Sequence, residues 1–363
     1  SDWMLIAPYA WEGRLVDVTD VVGPARDRYI ESMLRTAYQW NNAERVRSYY
    51  GIPTQAQTIH IHYWTDLLEM AGMDPVNIPT DWEGFWEYWK TAQDKLRGTR
   101  QREFRRLFGI GLPVSTGATD TFFVAEQLLS NFGGQLVTPQ GELRIDTPEN
   151  RQALIRTLEF MAGLYLEGYV PPGAINWLDP DNNVNFHNRT VLMTPNPSLS
   201  IPGAQIFSNP DNYYNKMRTV EWPLSPSGQR VPYKMAVKTV LIFKGARNVE
   251  LAKEFMRELI KAENLGPYLK AANGRWFPAF RDVAADPFFH DPRDPHVPVA
   301  TRQFLNSPTE PFYYVWHPAY SQVYTENLWG RALGRMLVER WPADRAADEA
   351  IARVKAIFEQ WGR

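Results

Sequence analysis

Apolar positions recur with a period near 3.6 in several long stretches of this chain, and shorter apolar runs lie between them. Aromatic residues at 82, 85, 86 and 89 follow Thr80 and Asp81, either of which can cap a helix, with Glu83 in its first turn. A second helix opens at "DTPENRQ", where proline suits the first turn, and stops at the glycine before the double proline at 171–172. The stretch 245–273 reads as a capped helix with another behind it. The segment 342–362 reads as an amphipathic terminal helix, apolar at 347, 351, 354 and 358. Strand candidates are 58–64, 108–114, 190–195 and 234–243, and the opening "WMLIAPYA" has the pattern of a buried strand. Short strands between long helices predict an α/β protein with mainly parallel sheets. Proline and glycine clusters at 195–203, 223–232 and 286–298 mark loops.

A length of 363 residues predicts two domains. Lys and Arg (39) nearly cancel Asp and Glu (41), and the densest basic patch, 97–106, is local, which argues against a nucleic-acid partner. The absence of cysteine excludes disulfides, thiolate metal sites and cysteine nucleophiles. No run of 18 apolar residues exists to span a membrane. Ser1 is not an initiator Met and no signal peptide stands before "WMLIAPYA", so the start reads as processed, trimmed or truncated. Phosphate-loop, G-x-S-x-G and H-E-x-x-H motifs are missing, and no cofactor is expected. His60 and His62 share one face of a strand, a possible metal spacing without a third ligand in register, and "HDPRDPH" (290–296) reads as a proline-rich loop, so no metal site is assigned.

Aromatic content changes the picture. With 14 Trp and 17 Tyr, the chain holds more rings than a core of this size requires. The loop 168–202 sets Trp177 on a proline-stiffened segment beside Asn176, Asp179, Asn182 and Asn183. Sugars stack their C–H faces on such rings while their hydroxyls seek amides and carboxylates. The alternative is a set of turn-forming and capping side chains around Asp181 or Asn182.

The segments 13–22 ("GRLVDVTDVV"), 50–73, 79–93, 108–120, 128–149, 164–198, 237–260 and 273–280 ("NGRWFPAF") stand in an order that resembles the extracellular solute-binding proteins of ABC importers, in their carbohydrate-type, family 1 branch. The resemblance runs over nearly the whole chain. It implies a two-lobe, periplasmic-binding-protein-like α/β fold with a hinge and a ligand cleft between the lobes. It implies a sugar, oligosaccharide or polyol ligand, transmembrane importer subunits as partners, a monomer, and a periplasmic or extracellular, membrane-anchored location. The family begins with a strand, a helix and a second strand upstream of "WMLIAPYA", so the N-terminal lobe is expected to lack them. Crossings are expected near 57–63, 233–238 and 302–310. They divide the chain into an N-terminal lobe of 1–59 and 237–303 and a C-terminal lobe of 60–236 and 304–363.

Within that frame Asn196 and Ser198, at a strand end facing the cleft, become candidates for hydroxyl recognition, or form a turn between prolines. Trp276 falls on a loop near the cleft, beside Arg275, which also reads as a plain surface charge. Trp64, Tyr9 and Trp11 are stacking candidates or core residues. Asp120 can accept sugar hydroxyls or cap the helix that follows it. Trp316 and Tyr320 are cleft candidates in the aromatic segment 313–324, some of which must pack between helices. A carbohydrate-active enzyme would also be rich in Trp but needs two opposed carboxylates, for which Asp120 and Asp179 are the best loop pair. An adhesion module would instead expose a large apolar patch.

Overall fold

Polar–apolar alternation is lost in Ile52–Thr58 and His60–Trp64, where every residue is buried, and only Ile59 separates the two strands. These are β3 and β4. An antiparallel hairpin of β1 (Tyr38–Asn41) and β2 (Val46–Tyr49) precedes them. The computed structural model describes residues 3–362; residues 1, 2 and 363, the extreme ends of the expected lobe ranges, lie outside the described residues.

The strands β5 (Phe108–Ile110), β6 (Val191–Asn196) and β7 (Met217–Val220) join β4 in a four-stranded sheet ordered β5-β6-β4-β7. The strands β8 (Tyr233–Val240), β9 (Phe277–Pro278) and β10 (Thr309–Pro311) join β3 in another, ordered β10-β8-β3-β9. The chain therefore passes between sheets at Ile59, again over 221–232, and a third time after Pro311. Each sheet has its own core: one runs from Val18 to Phe304 around β3, β8 and β9, the other from Ile59 to Ile357 around β4, β5 and β6.

The sheets are mixed, not mainly parallel. β3 pairs antiparallel with β8, and β4 with both β6 and β7, while β10–β8 and β5–β6 are parallel. The crossing explains this. The chain leaves one sheet along β3–β4 and returns along β7–β8, so the returning strands lie against the outgoing ones head to tail. The opening segment is helical, not a strand: a 3₁₀ turn at Trp3–Leu5 leads into the helix Ile6–Trp11. Ile6, Ala7 and Ala10 are its buried residues, a one-faced helical set that a short apolar run does not distinguish from a strand. The helix Trp82–Gly98 is capped by Asp81, which accepts from Gly84 N at 2.8 Å, and Pro148–Leu166 by Thr147.

Where the second and third crossings meet, a polar cluster is sealed inside. The Lys234 side chain, 0% exposed, reaches Glu310 Oε1 at 2.5 Å and lies 3.8 Å over the Tyr313 ring. Its backbone N donates to Gln127 Oε1 at 2.8 Å. The neighbouring Glu126 accepts from Tyr320 OH and from Trp329 Nε1. Burial raises the Glu126 pKa to about 7, against the lowering pull of Lys234.

Candidate ligand-binding cleft

Between the two sheets lies a cavity of about 410 Å³ whose opposite walls differ in chemistry. The wall beside β6 is built from amides and carboxylates. Asn196 closes β6 opposite His60, and its Nδ2 donates to Ser198 O at 2.7 Å and Ser200 Oγ at 3.0 Å. Asn182, in the helix Asp181–His187, donates to Asp120 Oδ2 at 3.0 Å and Asn196 Oδ1 at 3.1 Å. Asp120 stands in the first turn of Thr119–Asn131 but does not cap it. Asp179 does, accepting from both the Thr119 N–H and its hydroxyl. Desolvation, then the nearby Asp179, raises the Asp120 pKa to about 8, so at neutral pH this wall carries a protonated carboxyl able both to donate and to accept.

The facing wall comes from the other sheet: Gln57 at the end of β3, Lys238 in β8, and Arg275 with Trp276 on the loop into β9. Lys238 Nζ lies 4.0 Å, and the Arg275 guanidinium carbon 5.0 Å, from the centroid of the half-buried Trp276 ring. Gly274 makes the loop possible, since its φ is +70° and a Cβ there would sit 2.5 Å from Val297 Cγ2. Gly274→Ala is therefore expected to cost about 2 kcal/mol or more in denaturant unfolding, from left-handed backbone strain plus the clash. The same variant should weaken ligand binding by displacing Trp276.

Of the residues singled out in the sequence, Asp120, Asp179, Asn183, Asn196, Ser198, Arg275 and Trp276 line this cavity, and Asn182 stands behind the wall, holding Asp120 and Asn196. The others are placed elsewhere. Trp177 is 6% exposed in the larger core, its carbonyl taken by Ser115 Oγ, because the loop after Pro171–Pro172 turns its ring inward. Asn176 is exposed and off the cavity wall. Trp64 stacks on Phe186 at 5.1 Å with Arg189 over its other neighbourhood at 4.4 Å, and its Nε1 donates to Phe186 O at 3.0 Å. Tyr9 packs edge-on to Phe243 at 5.1 Å and under Arg14 at 4.7 Å. Tyr320 is buried with its hydroxyl on Glu126. Trp11 and Trp316 meet in a different recess. Sequence reasoning did not single out Gln57, Lys238, Phe123 or Ser200. The signal for the first two was available: Gln55 and Gln57 alternate in a wholly buried strand, and Lys238 interrupts an apolar one.

The histidines are occupied by the fold. His62 uses Nδ1 with Thr219 Oγ1 at 2.9 Å and Nε2 with Ser198 O at 3.2 Å; His296 uses Nδ1 with the same Thr219 at 2.7 Å and Nε2 with Tyr213 O at 3.0 Å. His60 Nδ1 is paired with Gln303 Oε1, and no metal-holding group occurs among the described residues.

Burial pulls His60 and His296 down to about 4 and His62 well below its ordinary value. Between those values and about 6.5 the unfolded chain binds protons that the folded histidines do not, so stability rises with pH. Asp120 and Glu126 act oppositely: the folded chain keeps their protons after the unfolded chain has lost them, so stability falls with pH up to about 8 and about 7 respectively. Melting scans should show greatest stability near pH 6.5, then a decline of up to about 2 kcal/mol by pH 8. Asp120→Asn should remove most of that decline, and Glu126→Gln a smaller part.

A family model described as bacterial extracellular solute-binding protein matches residues 3–299. An arabinooligosaccharide-binding protein of Halalkalibacterium halodurans is 26% identical over 151 residues, 42% of this chain and 28% of that protein. Its namesake in Bacillus subtilis is 22% identical over 242 residues, 67% of this chain and 50% of that protein; the matched region thus spans half or less of either relative. Among solved structures, an ABC transporter solute-binding protein from Thermotoga lettingae, bound with α-D-tagatose, superposes with a TM-score of 0.78 at 18% identity, covering 98% of this chain and 84% of that one. That likeness carries the two-lobe fold. The hydrolase alternative has no support in this family of receptors, and geometrically Asp120 and Asp179 stand on one wall instead of opposing each other. The chain belongs to the bacterial extracellular solute-binding proteins.

Proposed function

We propose that this chain captures a neutral, hydroxyl-rich solute, an oligosaccharide of the arabinose type first among those to test or a related sugar or polyol, and hands it to the transmembrane subunits of an ABC importer. The observation that carries the reading is the pairing of walls in the inter-sheet cavity. One indole, Trp276, offers a stacking face, and across from it stand a carboxyl and amides for hydroxyls. Asn183, on the same polar wall, keeps its Oδ1 without a hydrogen-bond partner, an acceptor that a ligand hydroxyl can satisfy.

Gln57, Lys238 and Trp276 belong to one sheet's side and Asp120, Asn183 and Asn196 to the other's, so a ligand touching all of them favours the closed arrangement. Only such differential contact can drive closure. We place the lobe boundaries at Ile59, within 221–232 and just after Pro311, since the sheet membership of β8 and β10 supports extending the first lobe's returning segment from 237–303 to 233–311. On this reading the protein works in the periplasm or at the cell exterior, anchored to the membrane, as a monomer.

Calorimetric titration with arabinose, arabinotriose, ribitol, galacturonic acid and an amino acid tests the reading. Binding of a neutral saccharide or polyol supports it. Binding of the amino acid alone, or of the uronate alone through Lys238 and Arg275, would replace it.

A further inference from the structure

A second concave region shares no lining residue with the cleft. Its volume is about 500 Å³, and Trp11, Trp40 and Trp316 stand on its wall. They come from three separate parts of the chain: the helix Ile6–Trp11, β1, and the segment that follows β10. Trp64, Trp89, Trp222 and Trp329 are at most 1% exposed, whereas the three recess rings are each only half-buried. Arg35 lies over Trp316 at 4.8 Å, and Trp11 packs against His317 and Trp361 at 5.7 and 6.5 Å. The ring surface these contacts leave open, together with that of Trp40, is one that a ligand with flat apolar faces would cover.

The recess is held in shape by one close backbone approach and one side-chain hydrogen bond. Gly141, at φ +87°, lets the 140–142 turn approach so closely that a Cβ would lie 3.0 Å from Trp316 O. Gln39 Nε2 donates to Val315 O at 3.1 Å, fixing β1 against the Trp316 segment. Polar groups of both signs, Arg47 and Glu142, with the Gln140 amide, share the wall with the rings. A wholly apolar ligand would desolvate those groups without pairing them, whereas a sugar stacks on indoles and offers hydroxyls to each.

We propose that this recess is a second saccharide-binding site, taking a neutral sugar unit stacked on Trp40 and Trp316. The choice of ligand class rests on the reading of the chain as a saccharide receptor; the site itself rests on the recess alone.

The test is ¹⁹F NMR of the full chain labelled with 5-fluorotryptophan. Trp11, Trp40, Trp276 and Trp316 are assigned through single Trp→Phe variants, and the protein is titrated in turn with arabinose, arabinotriose, xylotriose, maltotriose and cellotriose. The expected result is that Trp40 and Trp316 move together and saturate on a curve separate from that of Trp276, and still do so in Trp276→Ala. Trp40→Ala should raise the midpoint reported by Trp316 about fivefold. The proposal is overturned if no sugar moves Trp40 and Trp316, or if their movement tracks Trp276 and disappears in Trp276→Ala, which would report lobe closure and not local binding. A silent Trp276 with responsive Trp40 and Trp316 would overturn the cleft reading and leave this site standing.

Discussion

Trp276→Ala is expected to weaken saccharide binding about thirtyfold while changing the melting temperature little. The ring is half-buried, lining the cavity on one side and packing against the edge of the smaller core on another, so its loss removes a ligand-facing surface and only a peripheral core contact. A buried aromatic anchor in a binding site is commonly worth about 2 kcal/mol, which is that thirtyfold. Lys238 and Arg275 also lose the face they lie over, at 4.0 and 5.0 Å, so Trp276→Phe should recover part of the affinity by restoring a platform for both cations. Trp177→Ala makes the contrasting case. That ring is 6% exposed within the larger core and off the cavity wall, so its removal should cost about 3–5 kcal/mol of stability with no selective effect on binding. Calorimetric titration beside chemical denaturation separates the two outcomes. Equal affinity of Trp276→Ala and the unaltered chain would remove the stacking wall from the account.

Lys234→Met should destabilise the fold by about 1–3 kcal/mol, because Glu310, itself 30% exposed, loses its partner and the buried Glu126 loses the nearby cation. Lys234 is 0% exposed at its side chain, and it serves Glu310 directly and Glu126 through space. Without it, Glu126 loses the influence that lowers its pKa and holds its proton to higher pH. The double variant Lys234→Met, Glu310→Gln removes both partners and should recover part of the loss, since replacing a buried pair is far cheaper than halving it. Denaturant midpoints of the two variants measure this. A Lys234→Met chain as stable as the unaltered one would show that the cluster joining the crossings contributes nothing to the fold.

Much of the architecture was legible because it is local. Asp81 and Thr147 cap the helices that their sequence context predicts, and β6 and β8 fall within a few residues of the apolar runs that announce them. Pairing direction was not local. Whether β8 runs with or against β3 depends on the return path through β7, more than 150 residues downstream of β3, and the antiparallel outcome followed from that path. The site shows the same division. Asp120, Asn196 and Trp276 lie at a helix start, a strand end and a Gly turn, places where side chains commonly face a ligand, and all three line the cavity. Trp177 also lies in a loop, but which way a proline-stiffened loop turns its ring is decided by packing and by the hydrogen bond from Ser115, 62 residues earlier. Lys238 and Gln57 were passed over because a polar residue within a strand reads as a break in the pattern until the sheet beside it is known to border a cavity.

A receptor of the kind proposed binds a saccharide between its sheets and releases it unaltered. The most direct measurement is thermal unfolding of the intact chain with each sugar of the titration panel, followed by chromatographic recovery of the sugar. At a thousand times its dissociation constant, a bound ligand adds about 4 kcal/mol, a rise of several degrees. The expected result is such a rise with one saccharide class, much reduced in Trp276→Ala, and full recovery of the intact sugar. Cleavage of the sugar, or a rise that Trp276→Ala leaves untouched, would contradict the account.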